Sequence, residues 1–348
     1  MKMSYLRYLS LVSIVLFLTS SQSVFADGGK ISAVYFGDYY YIAAHHNDEL
    51  KSRNGFWTRR VYLTYDRKLN ETFSSRVRFE VNSPDGLAGT GGKNIPYVKD
   101  AYLKISPKGS SHSIYLGRSI TPTFSVVPKL WGYRAVEKSM LLMQKYGSTR
   151  DLGVAVKGKV PGVDMLSYHA MVGNGAGTSA ETDKYKRGYL SATLKPSQAV
   201  VVQGYVDFEA REPGMNRMTL MGFLGYQMDN YRAGVQFGNQ IRGQGEGVDD
   251  VSIQGVSVFG AAAVKPDKIW VFGRVDKMLS VNPGAPKIAY TPMSADAKSN
   301  TIIAGLDYRP VKNVHIIPNV LMSFYDSPEV GEKPGSDLMA RVTLYYKF

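Results

Sequence analysis

The feature that most constrains this chain is an alternation of period two. It recurs in TRRVYLTYD (58–66), SSRVRFEV (74–81), LGVAVKGKV (152–160), VVVQGYVDF (200–208), IWVFGRVD (269–276) and MARVTLYYKF (339–348). Each run places apolar and polar side chains on opposite sides. That pattern belongs to strands whose two faces meet different surroundings. Helical periodicity is nearly absent. Clusters of Gly, Pro, Asn, Asp and Ser separate the runs, as turns do. Short connectors (194–198, 265–268, 308–313) alternate with longer ones (82–95, 174–186, 239–250, 279–300). The reading is all-β, with about 16 strands, a usual number for a transmembrane antiparallel β-barrel.

Residues 1–26 read as an export signal. Lys2 and Arg7 precede a short apolar core at 9–18, and Val24, Phe25 and Ala26 form a cleavage site. The expected mature barrel then spans 27–348. The remainder has no cysteine, so disulfides, thiol catalysis and thiolate metal sites are excluded. No later stretch approaches the roughly 18 apolar residues of a spanning helix. An exported all-β chain is a soluble sandwich or a membrane barrel, and alternation alone does not separate them. Alternating loop lengths favour the barrel. So do the 24 tyrosines, which cluster near strand ends, as at Tyr39, Tyr40 and Tyr41.

In a barrel the apolar set faces lipid and the polar set lines the lumen. Ala340, Val342, Leu344 and Tyr346 then face outward, and pairing with the first strand holds the last one in place. Arg60, Tyr62, Thr64 and Asp66 point inward, followed by Arg76, Arg78 and Glu80, then Asp100, Tyr102 and Lys104. Arg232 and Arg274 fall on the same side. By alternation only one of Arg59 and Arg60 can face the lumen. Cations exceed acids on this face, in keeping with 42 Lys and Arg against 29 Asp and Glu. A confined row of guanidinium groups concentrates anions and pairs well with phosphate or carboxylate.

Residues 119–149 form the longest connector without alternation, and such segments are often functional. It carries Arg134 and Lys138 beside Trp131, Tyr133 and the apolar patch 140–143. The expectation is a constriction loop folded into the barrel, pinned by that patch, with its cations toward the channel. An enzyme reading finds little support. There is no G-x-S-x-G elbow, and the five histidines are scattered. His45 and His46 are adjacent, so on a strand they would point to opposite faces, poor geometry for one metal, and they read instead as a strand end near water. GNGAGT (173–178) and GQGEGV (243–248) lack the Lys-Ser/Thr of a phosphate loop. Basic charge would suit nucleic acid, but the export signal argues against it. No catalytic residue, metal or cofactor is assigned.

Several motifs resemble the phosphate-selective porin O and P family. They are GFWTRRVYLTYDRKL (55–69), YLGR (115–118) leading into a Pro-containing loop, YRAVEK (133–138) and RDLGV (150–154). The resemblance implies a sixteen-stranded, usually trimeric barrel in the bacterial outer membrane, in contact with lipid and lipopolysaccharide. It implies passive diffusion of small solutes with a preference for anions. Phe348 resembles the C-terminal aromatic signature read by the barrel assembly machinery. The alternatives are an outer-membrane barrel enzyme and a structural or adhesive surface barrel.

Overall fold

A computed structural model describes residues 28–83, 86–88 and 92–348. The expected export signal lies outside them, as does part of the 82–95 connector. The strands are β1 (Gly29–Ala44), β2 (Asn54–Lys68), β3 (Phe73–Asn82), β4 (Pro96–Ile105), β5 (His112–Ile120), β6 (Arg150–Val160), β7 (Val163–Gly173) and β8 (Arg187–Leu194). They continue with β9 (Val200–Glu209), β10 (Arg217–Gln227), β11 (Tyr231–Arg242), β12 (Val251–Lys265), β13 (Ile269–Met278), β14 (Ser299–Tyr308), β15 (Val314–Tyr325) and β16 (Asp337–Lys347). Every strand pairs antiparallel with its sequence neighbours, and β16 pairs with β1 to close the barrel. Closure leaves no sheet edge unpaired, which a bilayer demands. Short turns gather on one rim and long connectors on the other.

The exterior is apolar. Leu63, Val154, Val172, Leu224, Val258 and Val342 are all exposed there, as expected for a wall that meets lipid rather than water. Exposed tyrosines mark both ends of this belt: Tyr39 and Tyr41 at the long-loop rim, Tyr226 and Tyr231 at the other. On β16, Ala340, Val342 and Leu344 are exposed while Met339, Arg341 and Thr343 are buried, matching the alternation. Phe348 exchanges both backbone hydrogen bonds with Ala33, so the strand does not fray.

Among the register shifts of the described strands, two place charged residues on the inner wall. Phe36 pairs with Arg60 and Gly37 with Thr58, so Arg59 is an extra residue in β2. Arg78 pairs with Asp100 and Phe79 with Val98, so Lys99 is an extra residue in β4. A bulge re-aims its neighbours. Here both members of each adjacent charged pair are buried on the inner side. The expectation that only one of Arg59 and Arg60 faces inward is therefore corrected: both do.

The barrel is not hollow throughout. The connector between β5 and β6, residues 121–149, enters it and carries two short helices, α1 (Val127–Trp131) and α2 (Met140–Met143). Val127, Leu130, Trp131, Tyr133, Val136 and Met140 join Phe223, Phe259, Phe272, Ile303 and Leu321 of the wall in one apolar core. The inner face of β10 to β15 thus mixes this apolar core with buried polar groups such as Gln236, Gln240, Asp276 and Asn319, where alternation alone had suggested a polar lumen. Gly132 ends α1 with a left-handed φ of 73°. A Cβ there would collide with the Arg232 guanidinium, so only glycine suits both demands.

Candidate functional site

The inserted loop is held on two sides. Trp131 is 1% exposed and packs against Phe259 and Phe272, with ring centroids 5.4 and 5.9 Å away. Tyr133 stacks on Phe272 at 3.9 Å. A loop without regular structure also leaves backbone carbonyls that need donors, and wall side chains supply them. Arg59 donates to the carbonyls of Ala135 and Val136. Gln240 and Arg187 donate to Tyr146, and Asn282 donates to Gln144. Arg274 donates to the Lys138 carbonyl at 2.5 Å.

Opposite the apolar wall, β2 to β6 and the loop bring charged groups together. Arg60 Nε lies 2.9 Å from Glu80, and Lys99 Nζ lies 3.0 Å from the other oxygen of the same carboxylate. Arg78 and Arg150 share Asp100 in the same way, Arg78 at 3.2 Å. Glu80 and Asp100 are 1% and 0% exposed. Each is a single buried carboxylate between two cations. Three guanidinium groups surround the Tyr62 ring: Arg60 at 5.9 Å, Arg78 at 5.3 Å and Arg134 at 5.6 Å. Arg134 also donates to the Tyr62 hydroxyl at 2.7 Å. The Phe124 ring lies between Arg134 and Arg150, at 4.6 and 5.1 Å.

Arg134 and Lys138 have no ion-pair partner among the described residues. Burial pushes the Lys138 ammonium down, and nearby Arg60 pushes it further, to about 8. A cavity of about 500 Å³ on the long-loop side is lined by Arg60, Lys99, Arg134 and Lys138. Another of about 650 Å³ on the short-turn side is lined by Arg76, Tyr102, Lys104 and Tyr115. Arg78 and Tyr62 stand between these levels in the strand register.

The eight cations singled out from sequence take four different situations. Arg60, Arg78 and Arg134 converge on Tyr62, and Lys138 lines the same cavity as Arg60 and Arg134. Arg76 sits nearer the short-turn rim in a two-bonded pair with Asp66, at 2.6 and 2.9 Å. Lys104 lies beside it over the Tyr115 ring. Arg232 stands on the far wall, with Tyr133 and Trp270 rings 5.0 and 5.3 Å away. Arg274 does not face open lumen. It is 2% exposed, paired with Asp276 at 2.6 Å, and lies under Trp131 as a clamp on the loop. Arg60, Arg76, Arg78 and Arg274 all hold carboxylates, so the cations of this wall stand in ion pairs.

Lys99 and Arg150 were not among the sequence candidates. The clue to Lys99 is two adjacent charges, Lys99 and Asp100, in one strand. Strict alternation would put one of them in lipid, and a bulge avoids that cost.

A closed 16-stranded barrel with one connector folded inside has the porin architecture. No protein-family model matches the chain, and no curated protein matches it in sequence. Solved structures do match in fold. The anion-selective porin from Comamonas acidovorans aligns at 12% identity over 92% of this chain and 99% of that one, TM-score 0.62. The outer membrane channel DcaP of Acinetobacter baumannii aligns at 13% identity over 92% and 98%, TM-score 0.66. OmpF of Salmonella typhi, solved with daunomycin, aligns at 13% identity over 92% and 97%, TM-score 0.64. At these identities the likeness is one of fold.

Proposed function

We propose that this protein is a bacterial outer-membrane porin. It lets small hydrophilic solutes diffuse passively and prefers anions. The observation that carries the preference is the charge count at the narrow level. Glu80 and Asp100 each sit between two cations, so each trio keeps one net positive charge. The loop adds Arg134 and Lys138 against the single acid Glu137, so the count stays positive. A positive constriction favours anions and repels cations in a wet, confined path.

Phosphate and related oxyanions are the finer reading. Three guanidinium groups converge on Tyr62, and guanidinium donors match oxyanion geometry in pairs. The motif resemblance to the phosphate-selective porins points the same way. A homotrimer is proposed on the outer face across β14 to β16 and β1. There Ala304, Pro318, Val320 and Ala340 form a shallow apolar groove flanked by Tyr39 and Tyr41. The bilayer, lipopolysaccharide and, through Phe348, the barrel assembly machinery complete the proposed partners.

Reversal potentials in a planar bilayer under a KCl gradient test this reading. Chloride is expected to exceed potassium in permeability, with the excess shrinking at high salt. Phosphate is expected to block chloride current. A cation-preferring pore would overturn the electrostatic reading, and chloride current indifferent to phosphate would overturn only the oxyanion part.

A further inference from the structure

On the long-loop rim the chain leaves β1 at Ala44 and stacks His45 on His46. Their ring centroids are 4.3 Å apart, with 28° between planes. The pair therefore does not splay to opposite faces as a strand would require, because β1 has already ended. Both rings turn toward Asp337, the first residue of β16. His46 Nδ1 lies 2.8 Å from Asp337 Oδ1, and the His46 backbone N–H donates to the same oxygen at 2.7 Å. His45 Nδ1 lies 3.9 Å from it. The Tyr325 hydroxyl, at the end of β15, donates to the other carboxylate oxygen.

Asp337 is 4% exposed. A buried carboxylate needs a cation or a full set of donors. Asp38, Glu80, Asp100, Asp207, Asp276 and Asp307 each have an arginine or lysine, while Asp151 and Glu137 accept from backbone N–H groups and the hydroxyls of Tyr189 and Thr291. Asp337 has no such partner among the described residues, and its charge partners are the two imidazoles. His45 is itself buried. Its Nδ1 accepts from the Asn47 N–H at 3.0 Å, while its Nε2 is buried with no hydrogen-bond partner.

We propose that His45, His46 and Asp337 bind one divalent transition-metal ion of the zinc class. One ligand atom from each residue lies within 4.8 Å of the others. Zinc–ligand bonds of about 2.0–2.2 Å set tetrahedral ligand atoms about 3.4 Å apart, so the His46–Asp337 hydrogen bond opens, any proton it holds is released, and the His45 ring closes in, shifts on the order of 1 Å. Two imidazoles and one carboxylate form a three-ligand zinc set with a fourth position open. Nitrogen donors select against calcium and magnesium, which take oxygen. Tyr325 orients the carboxylate, as a hydrogen bond behind a metal ligand does. The ion would tie the β1–β2 connector to the start of β16, clipping the seam where the barrel closes.

The full-length protein in detergent, titrated with cobalt(II) and then zinc, tests this. Cobalt is expected to give a visible absorption band that saturates at one equivalent and disappears when zinc is added. Zinc is expected to raise the temperature at which the barrel loses its compact gel mobility, and a chelator to lower it. His45→Gln and His46→Gln should each weaken cobalt binding about tenfold or more, with compact mobility retained. His112→Gln, on the opposite rim, should leave it unchanged. If Asp337→Asn does not assemble, the two histidine variants still decide. No cobalt band in the wild type, or an unchanged band in the His45→Gln/His46→Gln double variant, overturns the proposal.

Discussion

Lys138 gives the proposed pore a pH dependence that can be worked out beforehand. Its ammonium is held down to about 8 by burial and by Arg60, and it lies over the Tyr290 ring at 5.3 Å. A lysine with that value is about 90% charged at pH 7 and about 10% at pH 9. Raising the pH through this window removes most of one positive charge beside Arg60 and Lys99. An ion about 6 Å away interacts with that charge by about 0.7 kcal/mol at the dielectric of water, and by more in a confined site. Anion and cation feel opposite signs, so the difference is about 1.4 kcal/mol, or about tenfold in permeability ratio at low salt. Salt reduces it. Reversal potentials measured from pH 7 to 9 read this directly. The chloride-to-potassium ratio should fall as pH rises. Lys138→Met should match the high-pH wild type and lose the slope. A flat wild-type profile, or the same slope in Lys138→Met, would refute the assignment.

Three further outcomes follow from the contacts described. Glu80→Gln leaves Arg60 and Lys99 without their shared counter-charge; anion preference should rise while the barrel loses about 3–5 kcal/mol, read as earlier loss of compact gel mobility. Trp131→Ala opens a cavity where the loop meets Phe259 and Phe272; single-channel conductance should increase, with a cost of about 3–5 kcal/mol. Arg59→Met removes the donor to Ala135 and Val136 and strands Asp38, so open-channel current noise should grow; a trace as quiet as wild type would mean that the loop does not depend on this tether.

Much of the fold was legible because a period of two is a strong signal over many strands. It assigned Arg60, Arg76, Arg78 and Lys104 to the inner wall and Val342 and Leu344 to the outer one. It also pointed to the long connector, read as 119–149, which breaks the pattern for longer than any other stretch; β5 runs on to Ile120, so the connector starts at 121. Alternation failed where a single extra residue shifted the frame, at Arg59 and Lys99. It also failed on the anchoring wall. In MTLMGFLGY (218–226) both faces are apolar, because one meets lipid and the other meets the loop. Sequence spacing held no record of which cation shares which acid. Asp100 reaches Arg78 through strand pairing and Arg150 past the intervening β5, a contact between residues 50 apart. The histidine pair, read as a strand end, does follow the end of β1; the opposite-faces argument against one shared ion holds only within a strand.

The division of the inner wall has a consequence for how such a channel can change over time. Strands β10 to β15 hold the loop through Phe223, Phe259 and Phe272 together with Gln240 and Arg274, and β2 to β6 present charge, although Arg59 of β2 also ties Ala135 and Val136. In the proposed pore, substitutions at Arg76 or Lys104, away from those tethers, retune which ions pass without loosening the loop. Selectivity can therefore drift quickly on an unchanged mechanical frame, while changes at Phe259 or Phe272 would move the loop itself and alter every solute's passage at once.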